Sequence, residues 1–263
     1  MRSLSEAIGR RLLVADAPIE NQLIDAPIDP ERDLFGAEGC LAVLSLTRAS
    51  LVRATHEAQL RAGADILRTN TDGASPLELR RFGLGDDAFA INCGAARLAA
   101  EAVAATRETG GHSFALGMVR DLGWEATARE LEDAAALQAS GLFAGGVDGV
   151  AIDVASQRGR APAFLRGATR ARAQARSAAG IYLFSDHGAP EGIDRALRYL
   201  QISAEEARAT PSRLRGFNLI GGRGCEDTAA LVELLREFAT DGAGPYCEAA
   251  RRSLMRSDPS ASL

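Results

Sequence analysis

Two acidic residues stand at the ends of apolar runs that are typical of short β-strands. Residues 11–15 (RLLVA) lead into Asp16, and residues 147–154 (VDGVAIDV) include Asp153 near their end. In parallel α/β barrels the carboxyl ends of the strands carry the reactive groups, and a carboxylate there can bind an amine or move a proton. We therefore predict that Asp16 binds substrate and that Asp153 both binds substrate and takes part in catalysis. For Asp16, capping of the following turn is the alternative.

A histidine beside an acid follows a third apolar run. Residues 181–184 are followed closely by Asp186 and His187. Histidine titrates near neutral pH, as a general base must. We predict His187 as a catalytic residue at the rim of the site, and a hydrogen bond within the loop is the alternative.

Polar and small residues end two further predicted strands. Asn70 and Thr71 follow residues 64–67, and Gly221 and Gly222 follow the last predicted strand. Amide and hydroxyl side chains there either bind a ligand or hold the loop through backbone hydrogen bonds. Glycine lets the backbone approach a ligand or the barrel floor closely. We predict all four as substrate-binding residues, with a purely architectural role for Asn70 and Thr71 left open.

The four cysteines lie far apart and form no CxxC pair: Cys40, Cys93, Cys225 and Cys247. A zinc site needs at least three protein ligands close together. The sequence therefore predicts no metal ligand, and Cys225 is the candidate only if zinc is retained.

The elements that position these residues alternate between short strands and longer helices. Strands are predicted at 11–15, 64–67, 112–119, 147–154, 181–184 and 217–220, and helices at 51–62, 89–107, 125–140, 161–179, 192–200, 204–209 and 228–238. Such alternation is typical of parallel βαβ units. We expect an α/β fold, a (β/α)8 TIM-type barrel at residues 1–240, followed by a tail at residues 241–263.

Six predicted strands are two fewer than a complete (β/α)8 barrel has. The missing pair would have to lie in residues 22–43 or 203–215, and neither has a clear strand pattern. We therefore expect an incomplete or irregular barrel with a shortened C-terminal half. A doubly wound open sheet is the rival fold, but no G-x-G-x-x-G turn follows the first strand.

The composition is that of an ordinary globular protein and argues against two kinds of partner. Of the 263 residues, 46% are hydrophobic and 25% are charged, with a formal net charge of −5. Nucleic-acid-binding proteins usually carry a basic patch, whereas Lys and Arg are interspersed with acids here. We find no apolar stretch of the roughly 18 residues that a membrane span needs, and no signal-peptide pattern. We predict a cytoplasmic protein that binds neither nucleic acid nor membrane.

Residues 62–74 read AGADILRTNTDGA, and this segment resembles the signature after the second strand of the homocysteine S-methyltransferase family. That family includes betaine- and S-methylmethionine-dependent enzymes and the homocysteine-binding module of cobalamin-dependent methionine synthase. Other segments resemble the family in the same order: LLVADAP at 12–18, INCGAARLAAEA at 91–102, FALGMVRDLG at 114–123, VDGVAIDV at 147–154 and IGGRGCEDTAALVELL at 220–235. The resemblance covers about three quarters of the chain.

The resemblance implies a TIM barrel that transfers a methyl group to a small thiol, with an amino-acid-sized pocket at the carboxyl ends of its strands. It implies that Asp16 contacts the amine of the substrate. Asp153 stands in the place of a family glutamate, and its shorter side chain sets the carboxylate back.

The resemblance also implies a zinc ion held by three cysteine thiolates, of which two are adjacent after a Gly-Gly turn and one belongs to an Asn-Cys pair. Here Arg223 and Gly224 occupy the adjacent positions, and Cys225 is displaced by one. If Asn218 is matched to the Asn-Cys pair, Leu219 replaces the cysteine. The zinc ligands are therefore missing from the matching motifs, and the cofactor stays undetermined.

Three functional hypotheses remain open. The first is a homocysteine S-methyltransferase-like enzyme that acts on an amino-acid thiol. The second is a catalytically inactive barrel that serves as a binding or assembly subunit, as a homo-oligomer or beside a cobalamin or methyltransferase partner. The third is a zinc-free enzyme that uses Asp153, Asp186 or His187 as acid and base on another small substrate.

Overall fold

Short strands alternate with helices in the computed structural model, which describes residues 3–23, 26–123, 125–154, 158–184, 196–214 and 217–240. The strands are β1 (Leu13–Ala15), β2 (Ile66–Arg68), β3 (Phe114–Arg120), β4 (Gly149–Asp153), β5 (Gly180–Phe184), β6 (Ala196–Leu197), β7 (Tyr199–Gln201) and β8 (Leu219–Gly221). The helices are α1 (Leu4–Ile8), α2 (Ile19–Leu23), α3 (Pro30–Leu34), α4 (Leu44–Thr47), α5 (Ala49–Arg61), α6 (Pro76–Leu79), α7 (Ala88–Glu108), α8 (Ala128–Ala144), α9 (Ala161–Ala175), α10 (Ala204–Ala209) and α11 (Cys225–Thr240).

The strands pair in parallel in the order β6-β5-β4-β3-β2-β1-β8-β7. The two ends of this order, β6 and β7, are separated in the chain only by Arg198. The first of them pairs with β5 and the second with β8, so the ring of strand pairs closes through residues 196–201. This closed parallel sheet with outer helices confirms the predicted TIM-type barrel. It is irregular, with a shortened C-terminal half, because β6 and β7 together fill one position in the ring.

The helix predicted for residues 192–200 is wrong over its described part, because residues 196–201 form β6 and β7. Leu197 and Tyr199 pack in the barrel interior, whereas Leu200 packs with the outer helices. This alternation suits a strand with neighbours on both sides, and tertiary pairing overrides the local helical preference. Residues 192–195 lie outside the described residues.

The other predicted strands and helices are confirmed, with shifts at their ends. The described parts of residues 22–43 and 203–215 contain helical turns and no strand, as their patterns suggest. Gly63 follows α5 with a φ of 95°, a conformation that glycine adopts without strain. Helix α1 is not expected from the sequence, because five residues are too few to show a helical period.

The barrel interior is filled by side chains that alternate along the strands. Its buried members include Leu13, Ala15, Ile66, Phe114, Leu116, Ala151, Tyr182, Phe184, Leu197 and Leu219. Helix α1 covers the amino ends of the strands, since Leu4 belongs to the same cluster. Ser5 Oγ lies 2.7 Å from the hydroxyl oxygen of Tyr182, and this contact fixes the helix to β5.

Helices α7, α8 and α9 pack closely because alanine and glycine build their contact faces. A Cβ atom on Gly167 of α9 would lie 2.2 Å from the carbonyl oxygen of Glu132 in α8, so only glycine fits there. The stretch Gly85–Glu108 is long and apolar enough to cross a membrane by length and composition alone, which corrects the expectation that no such stretch exists. Since 56% of its most apolar window is buried inside the fold, it serves here as a core helix.

His56 of α5 is buried with neither ring nitrogen hydrogen-bonded within the described residues. Burial lowers the pKa of His56 from 6.5 to about 4. Between about pH 6.5 and pH 4, the imidazole of His56 is therefore protonated in the unfolded chain but neutral in the folded chain. The free energy of unfolding consequently falls as the pH drops through this window.

We predict that His56→Leu weakens the acid sensitivity of the fold. Between about pH 7.5 and pH 5, His56 costs the wild type about 2 kcal/mol of stability, and the variant avoids this loss. Urea unfolding of both proteins at the two pH values measures the difference. His112→Leu, at an exposed position, serves as the control and keeps the wild-type dependence. The same pH dependence in His56→Leu as in the wild type would contradict the prediction.

Candidate functional site

The mouth of the barrel, meaning its opening at the carboxyl ends of the strands, contains a buried ion pair. Asp16 follows β1 and is 1% exposed, and Arg68 is the last residue of β2. The backbone N–H of Arg68 donates to Asp16 Oδ2 at 3.0 Å, and its Nε donates to Oδ1 at 2.8 Å. Its Nη2 also donates to the backbone oxygen of Asp16. Asp16 thus lies at the predicted rim, with both carboxylate oxygens bound by Arg68.

The protonation of this pair is set by burial and by its mutual charge. Burial raises the pKa of Asp16 to about 6, although the charge and hydrogen bonds of Arg68 oppose the shift. Burial alone would lower the pKa of Arg68, but Asp16, Tyr199 and Glu20 raise it above its usual value. Arg68 therefore stays charged, and Asp16 is a carboxylate at neutral pH that takes up a proton slightly below it.

An aromatic pair completes the wall beside Arg68. The guanidinium carbon of Arg68 lies 5.2 Å from the ring centroid of Tyr199, within cation–π distance. The rings of Tyr199 and Phe184 are 5.5 Å apart and tilted by 54°. A Cβ atom on Gly221 would lie 2.8 Å from the hydroxyl oxygen of Tyr199. Gly221 therefore makes room for this tyrosine.

Arg120, the last residue of β3, joins two carboxylates across the mouth. Its Nη1 lies 2.9 Å from Asp72 Oδ2, and its Nε lies 3.4 Å from Asp153 Oδ2. The register of β3 and β4 places Arg120 directly opposite Asp153. Burial alone would lower the pKa of Arg120, but the charges of Asp72 and Asp153 raise it. The Asp153 side chain, 19% exposed, is thus held by Arg120 and still reached by solvent.

Glu20 of α2 adds another carboxyl group near these residues. Burial raises the pKa of Glu20 and Asp72 raises it further, while Arg68 and Arg120 lower it. Around this opening Asp16, Glu20, Asp72 and Asp153 interact with Arg68 and Arg120, Asp121 after β3 pairs with Arg160, and Arg223 follows β8. Carboxyl groups thus outnumber guanidiniums by one among these described residues, a small excess that favours a cationic group such as an ammonium.

The residues after β2 are buried and hold neighbouring segments together. Thr71 Oγ1 donates to the carbonyl of Met118 at 2.7 Å, and the N–H of Met118 donates to Thr69 Oγ1 at 3.0 Å. Asn70 Nδ2 donates to the carbonyl of Leu41 at 2.8 Å. These bonds support the architectural interpretation. Substrate contact by Asn70 and Thr71 stays a prediction.

Gly222 and the residues after it seat α11 against the barrel. A Cβ atom on Gly222 would lie 2.1 Å from Cβ of Asp227, so glycine is required for this approach. Asp227 Oδ2 accepts a hydrogen bond from the N–H of Arg223 at 2.9 Å. Asn21 Nδ2 of α2 donates to the carbonyl of Arg223 at 3.2 Å. Both predicted glycines therefore serve the packing of the barrel wall, and substrate contact by them stays a prediction.

Cys225 begins α11 and lies between two glutamines. Its Sγ is 3.0 Å from Gln22 Oε1 and 3.1 Å from Gln59 Nε2. Burial raises the pKa of the Cys225 thiol, and the charge of Asp16 adds to the shift. The sulfur is therefore held as a neutral thiol that donates to one amide and accepts from the other.

The donor groups of the described residues do not fit a three-thiolate zinc ion. Within the described residues, no group of three or more His, Cys, Asp or Glu side chains could hold a metal. Cys225 has amide neighbours, and Arg223 occupies a position where the family resemblance puts a thiolate. His187 and Cys247 lie outside the described residues.

The sequence analysis missed several mouth residues, namely Arg68, Arg120, Glu20, Asp72, the Asp121–Arg160 pair and the aromatic pair Tyr199 and Phe184. Arg68 and Arg120 are charged residues that directly follow apolar strand patterns, and this position was a usable signal. Glu20 lies in a five-residue helix and gives no such signal.

A groove of about 700 Å³ lies between the starts of α8 and α9. In the described part of the chain, none of the predicted site residues lines this groove.

Comparison with protein families matches residues 13–222 to the model described as Homocysteine S-methyltransferase. Among curated proteins, the methionine synthase of Mycobacterium leprae is 27% identical over 243 residues, which are 90% of this chain and 19% of that protein. The methionine synthase of Mycobacterium tuberculosis is 31% identical over 83 residues, or 32% of this chain. The chain thus spans about a fifth of the length of the first of these relatives.

Solved structures of the homocysteine methyltransferase MmuM from Escherichia coli share the fold. The metallated form has a TM-score of 0.67 at 18% identity and covers 87% of this chain and 98% of its own. The apo form has a TM-score of 0.63 at 17% identity and covers 89% and 98%.

We predict that the Asp16–Arg68 pair stabilises the fold only as a pair. Asp16→Ala and Arg68→Met each leave a buried charge without its partner and should lower the free energy of unfolding by about 3–5 kcal/mol. The double variant should lose less than the sum, with a coupling energy of about 0.5–3 kcal/mol. Urea unfolding of the four proteins measures this cycle. Arg129→Ala, which breaks the exposed pair with Asp133, is the control and should cost under about 1 kcal/mol. Additive losses would refute the coupling.

Proposed function

The chain belongs to the homocysteine S-methyltransferase family, and on that premise we propose that it transfers a methyl group to the sulfur of a small amino-acid thiol at the barrel mouth. The observation that carries the proposal is the match over residues 13–222, which runs from β1 to the turn after β8. The region that matches therefore includes every strand end that forms the mouth.

The electrostatics of the mouth support an amino-acid ligand. The carboxylate of Asp153 stands at a strand end and is reached by solvent, and the described carboxyl groups of the mouth outnumber its guanidiniums by one, so an ammonium group gains from entering. We assign binding of the amine to Asp16 and Asp153, because each stands at a strand end. Asp153 is the more accessible of the two, since its side chain is 19% exposed and that of Asp16 is 1% exposed.

Methyl transfer to sulfur requires a thiolate, because a thiol is a poor nucleophile and its ordinary pKa near 8.5 leaves little thiolate at neutral pH. We assign the removal of the thiol proton to Asp153 or His187, the two predicted acid–base residues. The sulfur lone pair then forms the bond to the methyl carbon, and the donor leaves with the electron pair of the broken bond. Asn70, Thr71, Gly221 and Gly222 complete the proposed substrate-binding set.

The remaining features of the proposal concern the whole chain. We assign residues 1–240 to the barrel and residues 241–263 to a tail. We assign the protein to the cytoplasm, with a small-molecule thiol as ligand and no nucleic acid or membrane as partner. Association with itself or with a cobalamin or methyltransferase partner belongs to the same proposal.

A second candidate function is a barrel that binds its ligand without turning it over. It is favoured by the internal pairing of the mouth, where Arg68 binds both oxygens of Asp16 and Arg120 lies against Asp153. An exposed apolar patch beside the shortened half would favour it further. Among the described residues, however, the exposed large apolar side chains belong to other parts of the fold: Phe35, Leu46, Phe89, Leu122 and Leu137.

We predict that the purified chain binds homocysteine and forms methionine from at least one of three methyl donors: S-methylmethionine, betaine or methylcobalamin. Calorimetry measures binding, and mass spectrometry of methionine measures turnover. Asp153→Asn should lower kcat/KM by about 10²-fold or more, as expected for loss of an acid–base group. Asp133→Asn, which changes an exposed carboxylate of α8, is the matched control.

The outcomes of this assay separate the two functions. Binding without methionine formation from any donor favours the non-catalytic barrel. Absence of both binding and turnover excludes the proposed function. Turnover that is unaffected in Asp153→Asn removes Asp153 from the mechanism.

A further inference from the structure

The turn after β8 differs from a metal-binding turn in both charge and contacts. Arg223 stands where the resemblance puts a thiolate, and its backbone N–H and carbonyl are bound by Asp227 and Asn21. These bonds fix the turn between α11 and α2. The position is therefore occupied by a cationic residue on a backbone that is already held at both of its polar groups.

The sulfur of Cys225 uses both of its hydrogen-bonding functions on protein amides. At 3.0 Å from Gln22 Oε1 it can only donate its proton, because a carbonyl oxygen has none to give. At 3.1 Å from Gln59 Nε2 it accepts. Zinc binds cysteine as the thiolate at about 2.3 Å. A metal at this sulfur would therefore abolish the hydrogen bond to Gln22 Oε1, because a thiolate has no proton to donate, and it would have to enter beside the amide of Gln59.

Gln59 is itself fixed and cannot easily make way for a metal. It is 1% exposed, and its Oε1 accepts from Thr228 Oγ1 at 2.9 Å and from the N–H of Ala17 at 3.4 Å. Displacing the amide would leave Thr228 and Ala17 without this acceptor. Thr228 Oγ1 would keep only the carbonyl of Gly224 at 3.2 Å, and a buried N–H without an acceptor destabilises the fold.

The nearby acid offers no second ligand. Gln59 binds both Cys225 Sγ and the N–H of Ala17, the residue after Asp16, and the charge of Asp16 raises the pKa of the Cys225 thiol. Both oxygens of Asp16 are already bound by the side chain and backbone of Arg68. A divalent cation would also meet the positive charge of Arg68 at this point.

We propose that Cys225 is a structural thiol that fastens the start of α11 to α2 and α5, and that it takes no part in holding a zinc ion. The inference rests on the proposed function, because the zinc ion of the homocysteine S-methyltransferase family would act on the thiol substrate bound at this mouth. The test measures the metal content, the thiol reactivity and the stability of the protein. None of these measurements requires turnover, so failure of this inference can be told apart from failure of the proposed function.

The experiment compares the wild type with Cys225→Ser and with Cys93→Ser, a partly buried cysteine of α7 that serves as the matched control. Each protein is equilibrated with zinc and a competing chelator, and zinc per chain is measured by mass spectrometry after gel filtration. We expect the same zinc content in all three proteins. A loss of zinc in Cys225→Ser alone would overturn the proposal.

Two further readouts test the thiol directly. We expect the rate of Cys225 alkylation, followed by peptide mass spectrometry, to be the same with and without EDTA, and acceleration by EDTA would again show a bound metal. We also expect Cys225→Ala, which removes both hydrogen bonds, to lower the urea midpoint of unfolding more than Cys93→Ala does. Equal midpoints would remove the structural role of Cys225.

Discussion

Closure of the parallel strand ring is the constraint on which the rest of the structure depends. An open parallel sheet leaves unpaired backbone groups at two edges, and such edges invite pairing with other chains. Here one extended segment at residues 196–201 pairs first with β5 and then with β8, so a single segment covers both edges. The shortened C-terminal half therefore keeps a closed barrel with fewer connections.

This closure determines what the mouth can contain. Tyr199 belongs to the closing segment, and its ring lies against Arg68, which in turn binds Asp16. The groups that hold β1, β2 and β7 together are thus the same groups that line the opening. In the proposed function, stability and ligand binding draw on one network, so changes at Arg68 are expected to affect both. The mouth therefore contains the buried Asp16–Arg68 ion pair, although removing these two charges from water is energetically costly.

Much of the fold follows from sequence patterns because its signals are local. The runs that become β3 and β4, and the long helices α7 and α8, carry their periodicity within a few residues. The closing segment is different, because Ala-Leu-Arg reads locally as helix and becomes strand only through pairing with β5 and β8. Its structure depends on partners that are distant in sequence.

The site divides in the same way. Asp16 and Asp153 are predictable because a carboxylate at a strand end is a local signal. Arg68 and Arg120 carry the same local signal, but which carboxylate each of them binds is known only from cross-strand contacts. The hydrogen bonds of Cys225 depend on Gln22 and Gln59, which are 203 and 166 residues away. No spacing rule connects residues so far apart.

Helix α1 determines from which end of the barrel a small molecule can reach the strand ends. Leu4 packs into the interior and Ser5 is bound to Tyr182, so α1 closes the barrel at the amino ends of its strands. A small molecule held among the strand tips must therefore depart by the route along which it arrived. In the proposed reaction the thiol and the methyl donor therefore both approach from the carboxyl ends of the strands, and both products leave from the same face.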